Sequence, residues 1–215
     1  TAAVLIEPIQ SMGGMKEIPL GCLSQIQKQC QQHGAFLIFD EIQTGLGRLG
    51  TLWGYESFGV EPDVMTLAKA LGAGAPLGAF ASKDFCSVLE PGDHGSTFGG
   101  NALTTAAGAA AAKFIVENDI PSLAVINGAY LTESLTKLAE KYSFICDIRG
   151  LGLLIGVEMT KEIAAPTVQE CLNNGLIINA VRSNMLRFMP PLNVTEKEID
   201  EAIQILDTSL ANTSK

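Results

Sequence analysis

The stretch from Ala35 to Thr44 constrains the fold more than any other part of the sequence. Residues 35–39 form an uninterrupted apolar run of strand length, and Asp40 and Glu41 follow it directly. Such a run indicates a strand buried on both faces, as in a parallel α/β sheet. Because ligands of these sheets bind beyond the carboxyl ends of the strands, we expect Asp40 and Gln43 to lie at a binding site. Glu41 should point to the opposite side and be structural.

A second apolar run, residues 64–68, ends at Lys69. An acid and a lysine at two strand ends form the pair that a pyridoxal phosphate enzyme requires. The acid keeps the pyridine nitrogen protonated, and the lysine forms a Schiff base. Burial among apolar neighbours would make a lysine amine nucleophilic by lowering its pKa. On position alone, Lys69 could equally be a solvated charge, and Asp40 could simply cap a helix.

Composition and charge exclude several classes of function. The net charge of −9 argues against a nucleic-acid or anionic membrane surface. No apolar stretch reaches the roughly 18 residues of a membrane span. The five cysteines show no CxxC spacing, so we expect buried free thiols in a reducing compartment, such as the cytoplasm or an organellar matrix. With two histidines, the chain has little material for a metal site, and none is predicted.

The periodicity along the chain predicts an α/β part followed by a smaller α+β part. We place the boundary near residue 140, which gives domains 1–140 and 141–215. The first residues already match the inside of a strand, so we expect a longer protein of which this is a part. The predicted strands are 2–6, 35–39, 64–68, 77–81, 144–148, 151–159, 175–181 and 185–188, and the predicted helices are 20–32, 103–116, 120–142 and one from a capping box at 195–198.

Three further motifs allow more than one interpretation. Residues 45–50 match GxGxxG, but the following residues are a poor helix, which favours a tight loop over a dinucleotide site. Ser96 and Thr97 precede two glycines and could hold a phosphate, although a plain loop is the simpler interpretation. Arg187 lies in an apolar strand and needs a carboxylate, either from a substrate or from a protein residue such as Glu7.

With these residues assembled, the chain resembles the class III (ornithine-type) aminotransferases, in particular those that act on N-acetylornithine. The resemblance implies the pyridoxal phosphate transferase fold, with part of the large, mostly parallel α/β domain followed by a small α+β domain. It covers essentially the whole chain, in family order. The matching segments are Val4–Gln10, Ile38–Gly45, Pro62–Gly72, His94–Asn101, Arg149–Gly152 and Leu186–Pro191.

The resemblance also implies roles for the residues that contact the cofactor. Lys69 would form the Schiff base with pyridoxal 5'-phosphate and then move the substrate α-proton. Asp40 would pair with the pyridinium nitrogen, and Gln43 would approach the phenolic oxygen. Thr97, with Ser96 beside it, would bind the phosphate of the neighbouring subunit's cofactor, which implies a homodimer with a shared site.

For the substrate, the resemblance implies that Arg187 receives a carboxylate and that Glu7 neutralises Arg187 when no carboxylate is present. The expected reaction transfers an amino group between N-acetylornithine, or a similar ω-amino donor, and 2-oxoglutarate or glutamate. Ornithine and 4-aminobutyrate are alternative donors. An aminomutase is less favoured, because that group usually has Met where Gln43 stands.

Two departures from the family pattern leave the exact substrate open. Ser11 and Met12 stand where the family commonly has Gly-Glu, and Ala75 stands where a bulkier residue is common. The family's phosphate-binding loop and ring-stacking aromatic residue belong upstream of Thr1. A different class of function is therefore a catalytically incomplete fragment that acts as a dimerisation or binding unit.

Overall fold

The structure is a computed structural model that describes residues 1–214, apart from the side chain of Leu20. The chain divides into two compact units, which are described separately below. The strands are β1 Ala3–Ile6, β2 Ile9–Gln10, β3 Lys16–Glu17, β4 Phe36–Asp40, β5 Val64–Leu67, β6 Ala79–Ser82, β7 Ile145–Leu151, β8 Leu154–Met159, β9 Asn179–Arg182 and β10 Met185–Phe188. The α-helices are α1 Leu20–His33, α2 Gly54–Phe58, α3 Ala102–Glu117, α4 Ile120–Lys141, α5 Ala164–Asn173 and α6 Glu196–Thr213.

The first unit comprises Thr1–Pro8 and Ile18–Pro121. Its sheet has the strand order β1-β4-β5-β6, in which the first three strands are parallel and β6 is antiparallel. Leu37 and Phe39 of β4 are completely buried, whereas the alternating residues Phe36, Ile38 and Asp40 are half-buried. The α/β class and the mostly parallel sheet are therefore confirmed, with one face of β4 more deeply covered than the other.

The second unit comprises Ile9–Glu17 and the chain from Ser122 onward. Its sheet has the order β7-β8-β10-β9 and is antiparallel throughout. Strands β2 and β3 form a separate hairpin, which is not among the predicted strands. The apolar side of α4 joins the core of this unit through Ala124, Leu131 and Leu135. This shared core explains why the compact units divide at Pro121; the expected division near residue 140 stays a prediction.

Helix α5 is absent from the sequence-based prediction. The residues that it buries are Ala164, Thr167 and Cys171, which are small or polar. They therefore give no periodic pattern of large apolar side chains. By contrast, the capping box at the start of α6 is confirmed, since Thr195 Oγ1 accepts a hydrogen bond from Glu198 N and Glu198 Oε2 accepts one from Thr195 N.

The sequence-based expectation is partly right for the cysteines and right for the glycine-rich stretch. All five thiols are free, but only Cys30 and Cys171 are buried, so the expectation of burial is wrong for the exposed Cys22 and Cys146. Residues 45–50 form a loop, and the five-residue helix that follows begins only at Gly54. The tight-loop interpretation is confirmed. Among residues 1–214, no helix is long and apolar enough to cross a membrane.

Candidate active site

Three of the predicted site residues follow neighbouring strands of the first sheet. Glu7 follows β1, Asp40 ends β4, and Lys69 lies two residues after β5. The strands pair in parallel, with Ile6 opposite Phe39 and Asp40 opposite Thr66. Because parallel strands end at the same edge of a sheet, the two carboxylates and the amine are brought to one edge, as the sequence predicts.

Asp40 is half-buried, and its Oδ1 accepts a hydrogen bond from the backbone N–H of Ile42 at 3.0 Å. This bond orders the start of the following loop, so a local structural role is part of what Asp40 does. Thr66 is the register partner of Asp40, and registered residues of a sheet face the same side. Within residues 1–214, the buried Thr66 Oγ1 has no hydrogen-bond partner. Polar groups are therefore available at this edge for a ligand with a hydrogen-bonding ring.

Glu41 is almost completely buried and holds together the loop that follows β4. Its carboxylate accepts hydrogen bonds from Thr44 Oγ1 at 2.8 Å, Gly54 N at 2.7 Å and Tyr55 N at 2.6 Å. Burial raises the pKa of Glu41, and these hydrogen bonds lower it in part. The structural role expected of Glu41 is confirmed, and it fixes the backbone on which Gln43 lies.

Gln43 and Glu7 contact each other in the first unit. Gln43 Nε2 donates a hydrogen bond to Glu7 Oε2 at 3.4 Å, and both side chains are half-buried. The two residues are 36 positions apart in the sequence. The tertiary structure therefore joins two residues that the sequence analysis assigned to separate tasks, namely cofactor contact and charge neutralisation.

Lys69 begins a short 3₁₀ helix, Lys69–Gly72, and has a φ of 50°. A left-handed backbone is uncommon for a residue with a side chain, and such residues concentrate at functional sites. Nothing in the sequence indicates this conformation. The lysine is exposed in the structure, so the burial expected from its apolar neighbours is wrong, because it lies beyond Leu67, the last residue of the strand.

Ser96 and Thr97 lie in an exposed loop in which residues 91–103 are all exposed. Ser96 Oγ accepts a hydrogen bond from the backbone N–H of Gly99 at 2.9 Å, which closes a tight turn. The Asn101 side chain then caps α3 by accepting from the backbone N–H groups of Leu103 and Thr104. The loop thus ends at a helix start, and its two hydroxyl residues face solvent in the isolated chain.

Arg187 belongs to the second unit, in β10 between the buried Leu186 and Phe188. Its Nε donates to Asn179 Oδ1 at 3.1 Å, and Arg187 is one of the residues that line an apolar cavity of about 460 Å³. Its Nη1 donates to Ser11 Oγ at 2.8 Å and lies 3.2 Å from the sulfur of Met12. Nothing in the sequence indicates these contacts, which join residues about 175 positions apart.

Arg149, in one of the family-like motifs, is a further residue whose contacts the sequence does not reveal. Its Nη1 pairs with Asp147 and, at 2.6 Å, with Glu158 Oε2, while its Nε donates to the backbone carbonyl of Gly14 at 2.9 Å. The paired arginine lowers the pKa of Glu158. Arg149 therefore connects the second sheet to the β2–β3 hairpin.

With this arrangement established, comparison with known proteins decides the family. Residues 1–210 match the family described as aminotransferase class-III. The chain belongs to the class III aminotransferases. Members of this class depend on pyridoxal phosphate, and the resemblance inferred from the motifs is confirmed.

Individual relatives agree with this assignment. An acetylornithine aminotransferase of Caldanaerobacter subterraneus subsp. tengcongensis is 46% identical over 209 residues, which are 97% of this chain and 53% of the relative. The solved ornithine aminotransferase from Toxoplasma gondii ME49 gives a TM-score of 0.90 at 34% identity, covering 99% of this chain and 52% of that one. The N-acetylornithine aminotransferase from Stenotrophomonas maltophilia K279a gives 0.89 at 32% identity, covering 98% and 56%.

These likenesses confirm the predicted pyridoxal phosphate transferase fold. They also show that the chain spans about half the length of the curated relatives it matches. The similarity covers both units of this chain, since the match extends from residue 1 to residue 210.

Proposed function

We propose that the protein containing this chain is a pyridoxal phosphate-dependent aminotransferase. It would transfer an amino group between N-acetylornithine, or a similar ω-amino donor, and 2-oxoglutarate. The observation that carries the proposal is the grouping of Glu7, Asp40 and Lys69 at one edge of a parallel sheet in a class III family chain. The acetylornithine aminotransferases among its relatives support the choice of donor.

The residues at the sheet edge fit the cofactor. They offer an amine, a carboxylate, an amide and, at Thr66, a buried hydroxyl without a partner among residues 1–214. When bound, pyridoxal phosphate supplies an electron sink next to the substrate carbon that carries the amino group. Asp40 would hold the proton at the pyridine nitrogen through its carboxylate, and Gln43 would donate to the phenolic oxygen. The amine of Lys69 would bind the cofactor and take the proton from the substrate carbon that carries the transferred amino group.

The substrate carboxylate is proposed to bind Arg187, whose guanidinium can form a bidentate pair with it. Glu7 is proposed to neutralise this arginine when the substrate offers no carboxylate. In the structure, the Glu7 carboxylate accepts a hydrogen bond from Gln43, which would have to release it for that task. Substituting Glu7→Gln should therefore reduce turnover of ω-amino donors more than turnover of glutamate.

A homodimer with a shared site is proposed from the exposed loop of the first unit. Thr97, together with Ser96, would bind the phosphate of the neighbouring subunit's cofactor. The exposure of Phe98 (82%) and Leu103 (80%) beside these hydroxyls supports burial of the loop in an assembly. Light scattering of the complete protein should give twice the subunit mass, and Thr97→Ala should weaken cofactor retention.

A second candidate donor is ornithine itself. It is favoured by the similarity to solved ornithine aminotransferases, including the one from Toxoplasma gondii. Comparing turnover of N-acetylornithine, ornithine and 4-aminobutyrate with 2-oxoglutarate as acceptor separates these donors. N-acetylornithine should give the highest kcat/KM, and an equal or higher value for ornithine would replace the first candidate by the second.

The central experiment uses the complete protein loaded with the cofactor. Lys69→Ala should reduce transamination by about a thousandfold or more, because the proton-transfer base and the cofactor anchor are lost together. It should also change the visible absorbance of the bound cofactor. Lys113→Ala is the matched control, since this lysine is exposed on α3 and pairs only weakly with Glu117 at 3.7 Å.

Two results would contradict the proposal. Retention of more than a tenth of the activity in the Lys69→Ala protein would exclude Lys69 as the base. Failure of the complete wild-type protein to bind pyridoxal phosphate would favour a non-catalytic dimerisation or binding unit.

A further inference from the structure

Helix α3 packs directly against the short 3₁₀ helix that begins at Lys69. The approach is very close at Gly108, a residue that α3 buries. A Cβ added to Gly108 would lie 2.4 Å from Leu77 Cδ2 and 3.0 Å from the carbonyl oxygen of Leu71. Any side chain at position 108 would displace one of these neighbours. The glycine in this alanine-rich helix therefore serves close packing.

The side chain of Leu77 lies between two glycines. Its Cδ2 contacts Gly108 of α3, and its Cβ would lie 3.2 Å from a Cβ added to Gly72, the last residue of the 3₁₀ helix. Leu77 is half-buried, and Gly72 and Gly108 are buried. In a close-packed interior, a side chain held in this way fixes the distance between the two elements that it touches. Leu77 therefore sets how near α3 lies to the end of the 3₁₀ helix.

The 3₁₀ helix begins with an unfavourable backbone conformation. The φ of 50° at Lys69 is left-handed, and such a conformation persists only where surrounding contacts impose it. Within the helix, Leu71 N donates to the carbonyl of Ala68 at 3.0 Å, but this bond is local. Strand pairing brings Lys69 to the edge of the sheet, yet the residue lies two positions beyond β5. The contacts with α3 supply the remaining constraint on its orientation.

We propose that Gly108 and Leu77 are positioning residues for Lys69. They hold the 3₁₀ helix against α3, so that the amine is presented in the orientation that proton transfer needs. This inference rests on the proposed function, in which Lys69 takes the proton from the substrate carbon that carries the amino group. Gly108 and Leu77 act through the backbone of residues 69–72 and need no contact with the substrate.

An alanine at position 108 would displace the backbone of the 3₁₀ helix as well as a side chain. The end of Leu77 can rotate away from the 2.4 Å contact, whereas the Leu71 carbonyl must move by a few tenths of an ångström. Leu71 is two residues from Lys69, so the shift is transmitted to the amine. Proton transfer is sensitive to small displacements of the base. The variant should therefore bind substrates normally and transfer the proton slowly.

The first test follows a single turnover of glutamate in the complete, cofactor-loaded protein. Gly108→Ala should lower the maximal rate constant about tenfold and change the half-saturating glutamate concentration less than about twofold. Gly21→Ala in α1 is the matched control, because it adds a Cβ to another helix glycine that meets no atom within 4 Å. Far-ultraviolet circular dichroism checks that both variants fold. A rate constant equal to that of the control overturns the proposal.

A spectroscopic signature provides a measurement without turnover. In the proposed function Lys69 binds the cofactor, so the visible circular dichroism of the loaded protein depends on how the lysine is oriented. This signal, relative to the visible absorbance, should change in Gly108→Ala and stay as in the wild type in Gly21→Ala. A signal in Gly108→Ala that matches the control contradicts the positioning role.

Hydrogen exchange tests the structural part of the proposal in the protein without cofactor. The amides of Leu71 and Ala73 donate to the carbonyls of Ala68 and Ala70. Both amides should exchange about threefold faster or more in Gly108→Ala than in the wild type, because the displaced 3₁₀ helix opens more readily. Unchanged exchange would mean that α3 does not hold this helix.

Leu77 gives a second variant that tests the proposal even if an alanine at position 108 prevents folding. Leu77→Ala removes the side chain between the two glycines and should lower the single-turnover rate constant about threefold or more. When Leu77→Ala is combined with Gly108→Ala, the new Cβ occupies part of the freed space. The combined loss should therefore be smaller than the product of the single losses. Losses that multiply would show that the two residues act independently and overturn the proposal.

Failure of the underlying function gives different results. If Lys69→Ala keeps the wild-type rate of proton transfer, Lys69 is not the base, and the inference falls with that role. If Lys69→Ala loses proton transfer but Gly108→Ala and Leu77→Ala behave like Gly21→Ala, the role of Lys69 stands and only the positioning by α3 is wrong.

Discussion

Two regions of the chain carry the residues predicted to form the active site, and they hold those residues in different ways. In the first unit, Asp40 and Lys69 are set by where parallel strands end, and the nearby bonds are local, such as Ile42 N to Asp40 Oδ1. In the second unit, Arg187 is held by Ser11, which is 176 positions away in the sequence. Strand pairing thus places Asp40 and Lys69, whereas a long-range side-chain contact holds the guanidinium of Arg187.

The difference determines how each region responds to sequence change. Residues at strand ends keep their places as long as the sheet forms, so the sequence motifs around them continue to predict where they lie. The setting of Arg187 depends on a hairpin loop, and substitutions at positions 11 and 12 can change its surroundings without altering the Leu-Arg-Phe motif. We therefore expect Asp40 and Lys69 to keep their positions at the edge of the sheet when nearby strand residues are substituted. Substitutions at positions 11 and 12 should instead change the surroundings of Arg187 and, through it, the substrate specificity.

After Lys69→Ala, the largest expected effect tests whether Asp40 is more than a turn residue. Asp40→Asn keeps an oxygen that can accept from Ile42 N but loses the negative charge. We expect kcat in the complete protein to fall about a hundredfold or more, because a charge placed at the reacting system is lost. The midpoint of thermal unfolding should change little. If more than half of the activity remains, Asp40 only orders the loop, and the proposed first-region site is wrong.

The next effect concerns the buried carboxylate that fixes the loop after β4. Glu41→Ala leaves the N–H groups of Gly54 and Tyr55 without their acceptor, which should cost about 3 kcal/mol of unfolding free energy. Urea unfolding measures the change. Glu56→Ala is the control. The exposed Glu56 carboxylate accepts a hydrogen bond from Trp53 N at the start of α2, and losing this bond should cost about 1 kcal/mol or less. Equal losses would contradict the anchoring role of Glu41.

A smaller effect in the second region tests whether the position of the β2–β3 hairpin loop affects Arg187. In Gly156→Ala, the new Cβ would lie 2.5 Å from Met15 Cγ and 2.4 Å from Met185 Cε. Overpacking of this kind costs about 1–3 kcal/mol, and the displaced loop should also raise the KM for glutamate. Gly21→Ala in α1 meets no atom within 4 Å and should stabilise the protein by about 0.5–1 kcal/mol. An unchanged KM in Gly156→Ala would mean that the loop position does not control Arg187.

The smallest expected effect is on the pH dependence of stability, which should have opposite signs for Glu41 in the first region and Glu158 in the second. Burial raises the pKa of Glu41 above 4.5, so the native state binds its proton more tightly than the unfolded chain does. Stability from this group falls as pH rises from 4.5 through the raised pKa. Arg149 lowers the pKa of Glu158, so stability from that group is present above 4.5 and is lost as pH falls.

Urea unfolding at a series of pH values checks both signs. Glu41→Gln should remove a decline of stability above pH 4.5, and Glu158→Gln should remove a decline below it. The comparison uses slopes against pH, because Glu41→Gln also weakens hydrogen bonds at every pH. Slopes that match the wild type in either variant would contradict the assigned electrostatics.

The sequence by itself determined the residues that follow directly from strand ends. The apolar runs before Asp40 and Lys69 predict two strands, and parallel pairing then brings their ends to one edge. The capping box at Thr195 could be predicted for a similar reason, because its hydrogen bonds join residues only three positions apart. Local chemistry of this kind is specified by adjacent residues and needs no knowledge of distant contacts.

Only the tertiary structure decided the features that depend on distant or small side chains. Helix α5 buries small and polar residues and so leaves no periodic signal, and the φ of 50° at Lys69 has no sequence marker. The contacts of Ser11 and Met12 with Arg187 join segments about 175 residues apart. The physical reason is the same throughout: such contacts depend on which surfaces meet after the backbone has folded, and local patterns do not encode that.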